Sequence, residues 1–332
     1  MAIHIQRRHF LAALLGSTAV SPLAALAQQP ALPIVGFIAG GAADQSTRYA
    51  TAFKNGLGEA GFVEGQNVTV EYHWLEGQYD RLPALLDDLV RRRVAVIATP
   101  ANRPATLAAA AATKTIPIVF GLAGDPVQLG LVASLARPGG NATGINFFSA
   151  ELTAKRLRLL HDVVPRAVRI AVLVNPANPS TAASTWQEMQ EVAPGLGLHL
   201  RILNASTADE IDTAFSSIAH ERDDAVFVVT DQFFDSHREQ FAASTMRGKI
   251  PAAYANRDLA AAGGLMSYGT SFADAFHQVG VYTGNILGGK KPNDLPVVQA
   301  TKFEFIINLK AAAVLGIEVP PSLLAIADEV IE

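Results

Sequence analysis

The sequence predicts an α/β fold made of two similar lobes, each a doubly wound parallel sheet. Short runs rich in β-branched residues alternate with alanine- and leucine-rich stretches from residue 33 onward, which is typical of parallel strands covered by helices. The alternation starts again after Pro138-Gly139-Gly140. The length of 332 residues also exceeds the size at which a single hydrophobic core usually stops growing, so two lobes are expected.

The first half is predicted to repeat a strand followed by a helix. Residues 34–38 form a buried strand, and a helix over about 46–60 follows because Tyr49, Phe53 and Leu57 recur four residues apart on one face. The other elements predicted in this half are strands at 67–74, 94–99 and 116–120 and helices at 81–92 and 102–113.

The second half is predicted to repeat this series. A strand at 143–148 is expected to cross between the lobes, and Thr207 with Glu210 three residues later forms a capping box that opens a helix. The other predicted strands are at 169–174, 199–203, 224–230, 250–254, 265–268 and 303–308. The other predicted helices are at 152–164, near 235–246 and at 272–287, with one more that ends at residue 192. A further helix and the strand at 303–308 follow the second half, which suggests that the chain returns to the first lobe. We therefore expect the chain to cross between the lobes several times.

Residues 1–27 are predicted to be an export signal. Arg7 and Arg8 precede a short apolar stretch at 10–20, and Ala25-Leu26-Ala27 is a small-residue cleavage site, so the mature chain is expected to begin at Gln28. The stretch is shorter than the roughly 20 residues that span a bilayer. The order Arg7-Arg8-His9-Phe10-Leu11 resembles the twin-arginine motif, and the general secretory route is the alternative. A cytoplasmic protein with an irregular N-terminus is the competing interpretation.

The composition argues against several classes of protein. A net charge of -4 does not favour a nucleic-acid binder, and the absence of cysteine excludes disulfides, thiolate metal sites and cysteine nucleophiles. The eight histidines show no metal-ligand spacing, and there is no G-x-S-x-G motif of a serine hydrolase. We therefore predict no metal and no cofactor, and no nucleophile–base pair of an enzyme can be read from the sequence.

One literal match to a dinucleotide-binding motif occurs at Gly56-Leu57-Gly58-Glu59-Ala60-Gly61. That motif binds a cofactor only when it directly follows a strand and opens a helix. Here it ends a predicted helix and leads into Val63, so we interpret Gly61 as a C-terminal helix cap.

Ligands of open parallel sheets bind beyond the carboxyl ends of the strands. The residues that follow the predicted strands are small, amide-bearing, hydroxylated, acidic or aromatic. They are Ala39, Gly40, Gly41, Thr99, Pro100, Ala101, Asn102, Gly121, Asp125, Asn146, Phe147, Asn175, Asn178, Asp231, Phe233, Phe234, Tyr254 and Asn256. Helix N-termini behind these loops suit a carboxylate, and Asp125 or Asp231 would balance an ammonium group. Turns use the same residue types, and Asp125 before Pro126 equally fits a helix cap.

Several long segments carry a resemblance to a known family. They are FKNGLGEAGFVEGQNVTVEYHWLEGQYDRLPALLDDLV at 53–90, IPIVFGLAGDPVQLGLVASLARPGGNATGINFF at 116–148, AVLVNPANP at 171–179, AAGGLMSYG at 261–269 and the C-terminal TKFEFIINLKAAAVLGIEVPPSLLAIADEVIE. Nearly the whole mature chain resembles the tryptophan/tyrosine-type group of ABC transporter substrate-binding proteins, which have the type I periplasmic-binding fold.

The resemblance implies two lobes linked by three crossings, with a ligand cleft that closes by hinge motion. The expected division is 28–146 plus about 271–290 for the N-terminal lobe and 147–270 plus about 291–332 for the C-terminal lobe. The residues expected to contact the ligand are Gly40, Thr99, Pro100, Asn102, Asp125, Asn146, Phe147, Asn175, Asp231, Phe233 and Tyr254.

The implied function is capture of a small molecule in the periplasm for an ABC importer permease, by a protein expected to be a monomer. An aromatic or hydrophobic amino acid is the leading ligand, because members of the group with characterised ligands take aromatic amino acids. Two alternatives stay open: a periplasmic ligand-sensing subunit of a signalling system, and an enzyme on a two-lobed scaffold.

Overall fold

A computed structural model describes residues 31–43, 47–76, 78–147 and 150–332, and of residues 150, 151, 180 and 232 it describes only the backbone. The predicted export signal and cleavage site lie outside the described residues. Within the described part of the chain, no helix is long and apolar enough to cross a membrane.

The described chain alternates strands and helices in the order predicted. The elements up to residue 147 are β1 (Ile34–Ala39), α1 (Thr47–Glu59), β2 (Thr69–Trp74), α2 (Leu82–Arg91), β3 (Val96–Thr99), α3 (Arg103–Ala112), β4 (Ile118–Ala123) and β5 (Ala142–Phe147). Those from 150 to 270 are α4 (Ala150–Val163), β6 (Arg169–Val174), α5 (Pro179–Val192), β7 (His199–Asn204), α6 (Ala208–Glu221), β8 (Ala225–Val228), α7 (Gln232–Ser236), α8 (Arg238–Gly248), β9 (Ala252–Tyr254), α9 (Arg257–Ala261) and β10 (Met266–Thr270). The last elements are α10 (Phe272–Leu287), β11 (Val298–Gln299), β12 (Phe303–Asn308), α11 (Leu309–Leu315), α12 (Pro321–Leu324) and β13 (Glu329–Ile331).

Two separate sheets confirm the prediction of two α/β lobes. The sheet of the first lobe has the order β11-β5-β4-β3-β1-β2, and all its pairs are parallel. The sheet of the second lobe has the order β13-β12-β10-β9-β8-β6-β7. Its pairs are parallel except for β10 with β12, which is antiparallel and was not predicted. The chain passes between the lobes after β5, after β10 and after β11, so the predicted three crossings are present.

The expected boundary at residue 291 differs from the structure. Residues 298 and 299 pair with β5 of the first sheet, and Leu295 and Val297 pack in the hydrophobic cores of the first lobe. The Thr143 hydroxyl also donates to the Leu295 carbonyl at 2.6 Å. The chain therefore leaves the first lobe only after residue 300. The strand predicted to cross between lobes is β5, an ordinary strand of the first sheet, and the crossing follows it.

Each sheet buries apolar side chains on both faces, as a parallel sheet between helices must. In the first lobe, one face packs against α1 and α10 and the other against α2 and α3. α1 and α10 touch closely, because a Cβ on Gly56 would lie 2.0 Å from the His277 carbonyl oxygen and one on Gly280 would lie 2.1 Å from that of Phe53. Gly61 ends α1 with a φ of +87°, which favours glycine. The literal glycine motif thus serves helix packing and capping.

Candidate functional site

The carboxyl ends of the two sheets meet at a set of contacts between the lobes. Tyr49 at the start of α1 in the first lobe donates its hydroxyl to Asp258 of α9 in the second lobe at 2.7 Å. The same hydroxyl lies 3.4 Å from Asn256 Oδ1. Farther along, Tyr79 of the first lobe lies near Asp231 of the second, and burial together with that carboxylate raises the pKa of Tyr79 to about 12. We call the region bounded by these contacts the interlobe cleft.

The loop after β3 forms the middle of the first-lobe wall. Asn102 is the N-cap of α3, since its side-chain oxygen accepts from the Ala105 amide at 3.1 Å. Its side-chain nitrogen is buried without a hydrogen-bond partner. Ala101 just before it has a φ of +51°, in the left-handed region that a residue with a Cβ seldom adopts. Such backbone strain is common where a loop is built for binding.

The other first-lobe candidates differ in whether their polar side-chain atoms already have hydrogen-bond partners within the protein. Thr99 is fully buried, and its hydroxyl is hydrogen-bonded to that of Thr106 at 2.8 Å, so its polar atom is already used. Asn146 at the end of β5 buries its side-chain oxygen without a partner. Asp125 is exposed and accepts from the amides of Val127 and Gln128, which is the cap that the sequence offered as an alternative. Gly40 and Pro100 are buried in the loops after β1 and β3.

Phe147 lies at the hinge. It ends β5 directly before the first crossing, and its ring packs edge-to-face with that of Phe272 at a centroid distance of 5.6 Å. Phe272 is the first residue of α10, directly after the second crossing. The two crossings are therefore held together by an aromatic pair.

Asp231 organises the second-lobe wall. Its carboxylate accepts from the Asn175 amide at 2.9 Å, from the Asn178 amide at 3.1 Å and from the Phe233 backbone amide at 2.9 Å. The last bond makes Asp231 the N-cap of α7. The structure thus brings together the predicted residues Asn175, Asp231 and Phe233, with Asn178 beside them.

Tyr254 does not line the cleft, contrary to the expectation from sequence. It is fully buried, and its ring packs edge-to-face against Phe241 in the core of the second lobe. The reason is strand alternation, which turns the side chain of Tyr254 to a covered face of the sheet. Phe234 is buried in the same core.

Sequence reasoning missed three residues between the lobes: Tyr49, Asp235 and Asp258. Asp235 on α7 keeps part of its surface accessible, while protein atoms surround its carboxyl group. This burial, with the neighbouring carboxylates of Asp231 and Asp258, raises its pKa to about 7 despite a hydrogen bond with Asn256. The positions of Asp235 and Asp258 a few residues after β8 and β9 were the available signal.

A buried cation lies behind this acidic group. Arg156 of α4 is 3% exposed, and its guanidinium carbon lies 4.9 Å from the ring centroid of Phe227. Burial lowers the pKa of Arg156 to about 10, and the charges of Glu188 and Asp235 oppose that shift. The second-lobe wall therefore combines half-buried acidic groups with the buried positive charge of Arg156.

Of two surface cavities, one lies beside the contacts between the lobes, because Arg48 and Arg257 in its lining lie 3.6 and 4.0 Å from the Asp258 carboxylate. This cavity, of about 480 Å³, is lined by charged residues that include Arg48, Arg257 and Glu304, and the other, of about 380 Å³, is lined by Lys155, Tyr268 and Phe303. Within the residues that the structure describes, no group of three or more metal-binding side chains is placed to hold an ion.

Comparison with known proteins agrees with this two-lobed arrangement. A family model described as ABC transporter substrate binding protein matches residues 34–331. A tyrosine-binding protein of Clostridioides difficile is 26% identical over 256 residues, which are 77% of this chain and 73% of that protein.

Solved structures are similar over most of the chain. An ABC domain from Streptococcus pneumoniae, in complex with L-Trp, is 25% identical with a TM-score of 0.80, over 90% of this chain and 100% of that one. A conserved domain protein from Vibrio cholerae is 27% identical with a TM-score of 0.81, over 90% of this chain and 99% of that one.

Proposed function

Because the chain belongs to the family of ABC transporter substrate-binding proteins, we propose that its interlobe cleft captures an aromatic L-amino acid for an ABC importer. Proteins of this family bind small molecules outside the cytoplasm and deliver them to a membrane permease, and they are not enzymes. The observation that carries the proposal is that each wall of the cleft presents a different polar group. The first lobe has the buried, unpartnered side-chain amide of Asn102 at the start of α3, and the second lobe has the Asp231 carboxylate.

The first-lobe wall would bind the carboxylate of the amino acid. The N-terminus of α3 offers the positive end of the helix dipole, which suits an anion. The Asn102 amide nitrogen, which has no partner within the protein, supplies a donor at the same point. An unsatisfied buried donor is costly, so a ligand oxygen here would recover that cost.

The second-lobe wall would bind the ammonium group. Asp231 is held in place by Asn175 and Asn178, so the carboxylate needs little reorganisation when a cation arrives. Fixed carboxylates recognise ammonium by charge-assisted hydrogen bonds, which are stronger than neutral ones. The two walls together therefore favour a zwitterion.

The aromatic side chain would lie against Phe147 and Phe233. Phe147 ends β5 at the hinge, and Phe233 follows Asp231 on the opposite wall with part of its surface accessible. The likeness to a tyrosine-binding protein and to a domain solved with L-Trp supports an aromatic rather than an aliphatic ligand. Aromatic rings pair edge-to-face or offset, which adds to the burial of their surface.

We further propose that the protein acts in the periplasm as a monomer after cleavage of residues 1–27. The order of paired arginines, apolar stretch and Ala25-Leu26-Ala27 supports export, and it leaves the twin-arginine and general routes open.

The proposal is tested by isothermal titration of the chain from Gln28 onward with L-tryptophan, L-tyrosine, L-phenylalanine, L-leucine and D-tryptophan. The protein is first unfolded and refolded to remove any bound solute. We expect one-to-one binding of an aromatic L-amino acid and at least about tenfold weaker binding of the D-enantiomer, because inverting the Cα exchanges the two polar groups. Equal binding of L- and D-tryptophan, or tighter binding of L-leucine, would contradict the proposal.

A further inference from the structure

The carboxyl end of β5 carries a buried polar side chain whose acceptor atom is unused. Asn146 is 6% exposed, and its side-chain oxygen has no hydrogen-bond partner among the residues that the structure describes. Its backbone carbonyl, by contrast, accepts from the Ala300 amide at 2.8 Å. A buried acceptor without a partner costs free energy and is uncommon in folded proteins, so a ligand that donates to this oxygen would recover that cost.

Strand register places the Asn146 side chain on the same face of the first sheet as α3. Asn146 lies opposite Leu122 of β4, and Leu122 packs in the core between the sheet and helices α2 and α3. The next residue, Phe147, packs in the core on the α1 and α10 face, as the alternation of side chains along a strand requires. Asn102 caps α3 at the carboxyl edge of the sheet. Both asparagines therefore lie on one face at one edge.

The two asparagines present opposite chemistry. The unpartnered atom of Asn102 is a nitrogen, which donates, and the unpartnered atom of Asn146 is an oxygen, which accepts. A carboxylate can only accept hydrogen bonds, and an ammonium group can only donate them. The first lobe alone therefore offers one partner for each charged group of an amino acid, whatever the position of the second lobe.

The acidic wall of the second lobe faces the same side of the first sheet. Tyr79 packs against the core on the α2 and α3 face, and Asp231 lies close enough to contribute to the raised pKa of Tyr79. An ammonium group has three N–H donors, so one that donates to Asn146 has two left for Asp231. The roles of the two acceptors differ, because the Asp231 carboxylate already accepts from three donors of the protein and Asn146 from none.

We propose that Asn146 is a specificity-determining residue, which accepts a hydrogen bond from the α-ammonium group of the ligand and thereby makes the site selective for free amino acids. This role rests on the proposed function and narrows its substrate class. Compounds with the same ring and carboxylate but no ammonium group, such as indole-3-propionate, leave the Asn146 oxygen without a partner and bind more weakly. A hydrogen bond to a charged group contributes a factor of about ten or more to such a preference.

The test compares an amino acid with its deaminated analogue in Asn146→Leu, which keeps a side chain of similar size and removes the amide. Titration calorimetry uses L-tryptophan and indole-3-propionate, or L-tyrosine and 3-(4-hydroxyphenyl)propionate if tyrosine binds more tightly. Affinity for the amino acid should fall about tenfold or more, and affinity for the deaminated acid should stay within about twofold of wild type. The melting temperature of the refolded, ligand-free variant should not fall by more than about 2 °C, because the oxygen that is lost has no partner.

Asn141→Leu is the matched control in the same lobe. The Asn141 amide donates to the carbonyls of Thr113 and Ile116 at 3.2 and 2.7 Å, so its hydrogen bonds are made within the protein. This variant should lose several degrees of melting temperature and keep the wild-type preference for the amino acid over the deaminated acid.

An unchanged preference in Asn146→Leu, or an equal loss of affinity for both compounds, would overturn the proposal. A melting temperature that falls as far as that of Asn141→Leu would also overturn it, since the amide would then have a structural partner. Asn146→Ala gives the same comparison of affinities if the leucine variant does not fold. Failure of the proposed function would appear separately, as wild-type protein that binds no aromatic amino acid.

Discussion

The hydroxyl of Tyr49 donates to the carboxylate of Asp258 at 2.7 Å, and the two residues belong to different lobes. This bond shows that the start of α1 and the start of α9, each just beyond the carboxyl end of a strand, meet in the structure. Burial and the Asp258 carboxylate both raise the pKa of Tyr49, so its proton stays on the oxygen and the bond persists in mildly alkaline solution.

Asp231→Asn should weaken binding of an aromatic amino acid by about 30-fold or more, which corresponds to about 2 kcal/mol. The variant loses the negative charge that is proposed to face the ammonium group. Its oxygen can still accept from Asn175, so the melting temperature should change by only a few degrees. Asp209→Asn on the exposed first turn of α6 is the matched control. Titration calorimetry that gives equal affinity for the Asp231 variant and wild type would remove Asp231 from the ligand site.

Asn102→Ala should lower affinity for the amino acid more than it lowers stability. The substitution removes both the amide proposed to contact the ligand carboxylate and the N-cap of α3, and loss of a cap costs about 1 kcal/mol. Asn102→Asp keeps the capping oxygen but places a negative charge beside the carboxylate. Chemical denaturation should show a loss of stability for Asn102→Asp as well, because its second carboxylate oxygen is buried without a partner, and titration should show the greater loss of affinity for that variant. The reverse order of affinities would contradict the role proposed for this amide.

Gly280→Ala should destabilise the first lobe by about 1–3 kcal/mol or more. The added methyl would lie 2.1 Å from the carbonyl oxygen of Phe53, a backbone atom that cannot move aside without separating α1 from α10. Gly58→Ala is the control on α1, because a Cβ there would meet nothing within 4 Å apart from its chain neighbours and the backbone of its own helix. That variant should gain about 0.5–1 kcal/mol from helix propensity. Urea denaturation of the two variants measures the difference, and similar stabilities would disprove the close helix contact.

Arg156→Ala should lower the free energy of unfolding by about 2–5 kcal/mol, while Arg158→Ala on the same helix should change it by less than about 0.5 kcal/mol. Arg156 is buried against the ring of Phe227, and its removal leaves a cavity and an uncompensated charge on Glu188. Arg158 is exposed. Denaturation curves of equal midpoint for the two variants would show that Arg156 is not a structural cation.

The contribution of Asp235 to the free energy of unfolding should fall as the pH rises from about 4 to 7. Its pKa in the folded protein is raised to about 7, so the folded state binds this proton more tightly than the unfolded chain does. The stability that Asp235 contributes is therefore fully present below the pKa of an aspartate in the unfolded chain, and it is lost as the pH rises through 7. Asp235→Asn cannot titrate at this position. The melting temperature of the wild type should therefore fall relative to that of the variant as the pH rises over this range. A constant difference would contradict the raised pKa.

Much of the fold was predictable because hydrophobic period and turn residues mark each strand and helix locally. β6, α10 and β12 lie where the sequence places them. β11 was missed because it has only two residues, and its pairing with β5 depends on a return of the chain that no local pattern records. The antiparallel pairing of β10 with β12 was missed for the same reason.

The candidate site was predictable only in part. The rule that ligands bind beyond strand ends selected Asn102, Asn175 and Asp231, which the structure places on the two walls. It could not exclude Tyr254, because the side of the sheet that a terminal residue faces depends on register. Tyr49 and Asp258 are 209 positions apart, and only the folded arrangement of the lobes brings them together.

The central claim is that an aromatic L-amino acid is held between the two walls of the cleft. A crystal structure of the chain from Gln28 onward with its tightest-binding amino acid tests this most directly. We predict that the ligand carboxylate lies at the N-terminus of α3 beside Asn102, with its ammonium group on Asp231 and its ring near Phe147. An amino acid bound outside the cleft, or with its carboxylate directed to Asp231, would contradict the account.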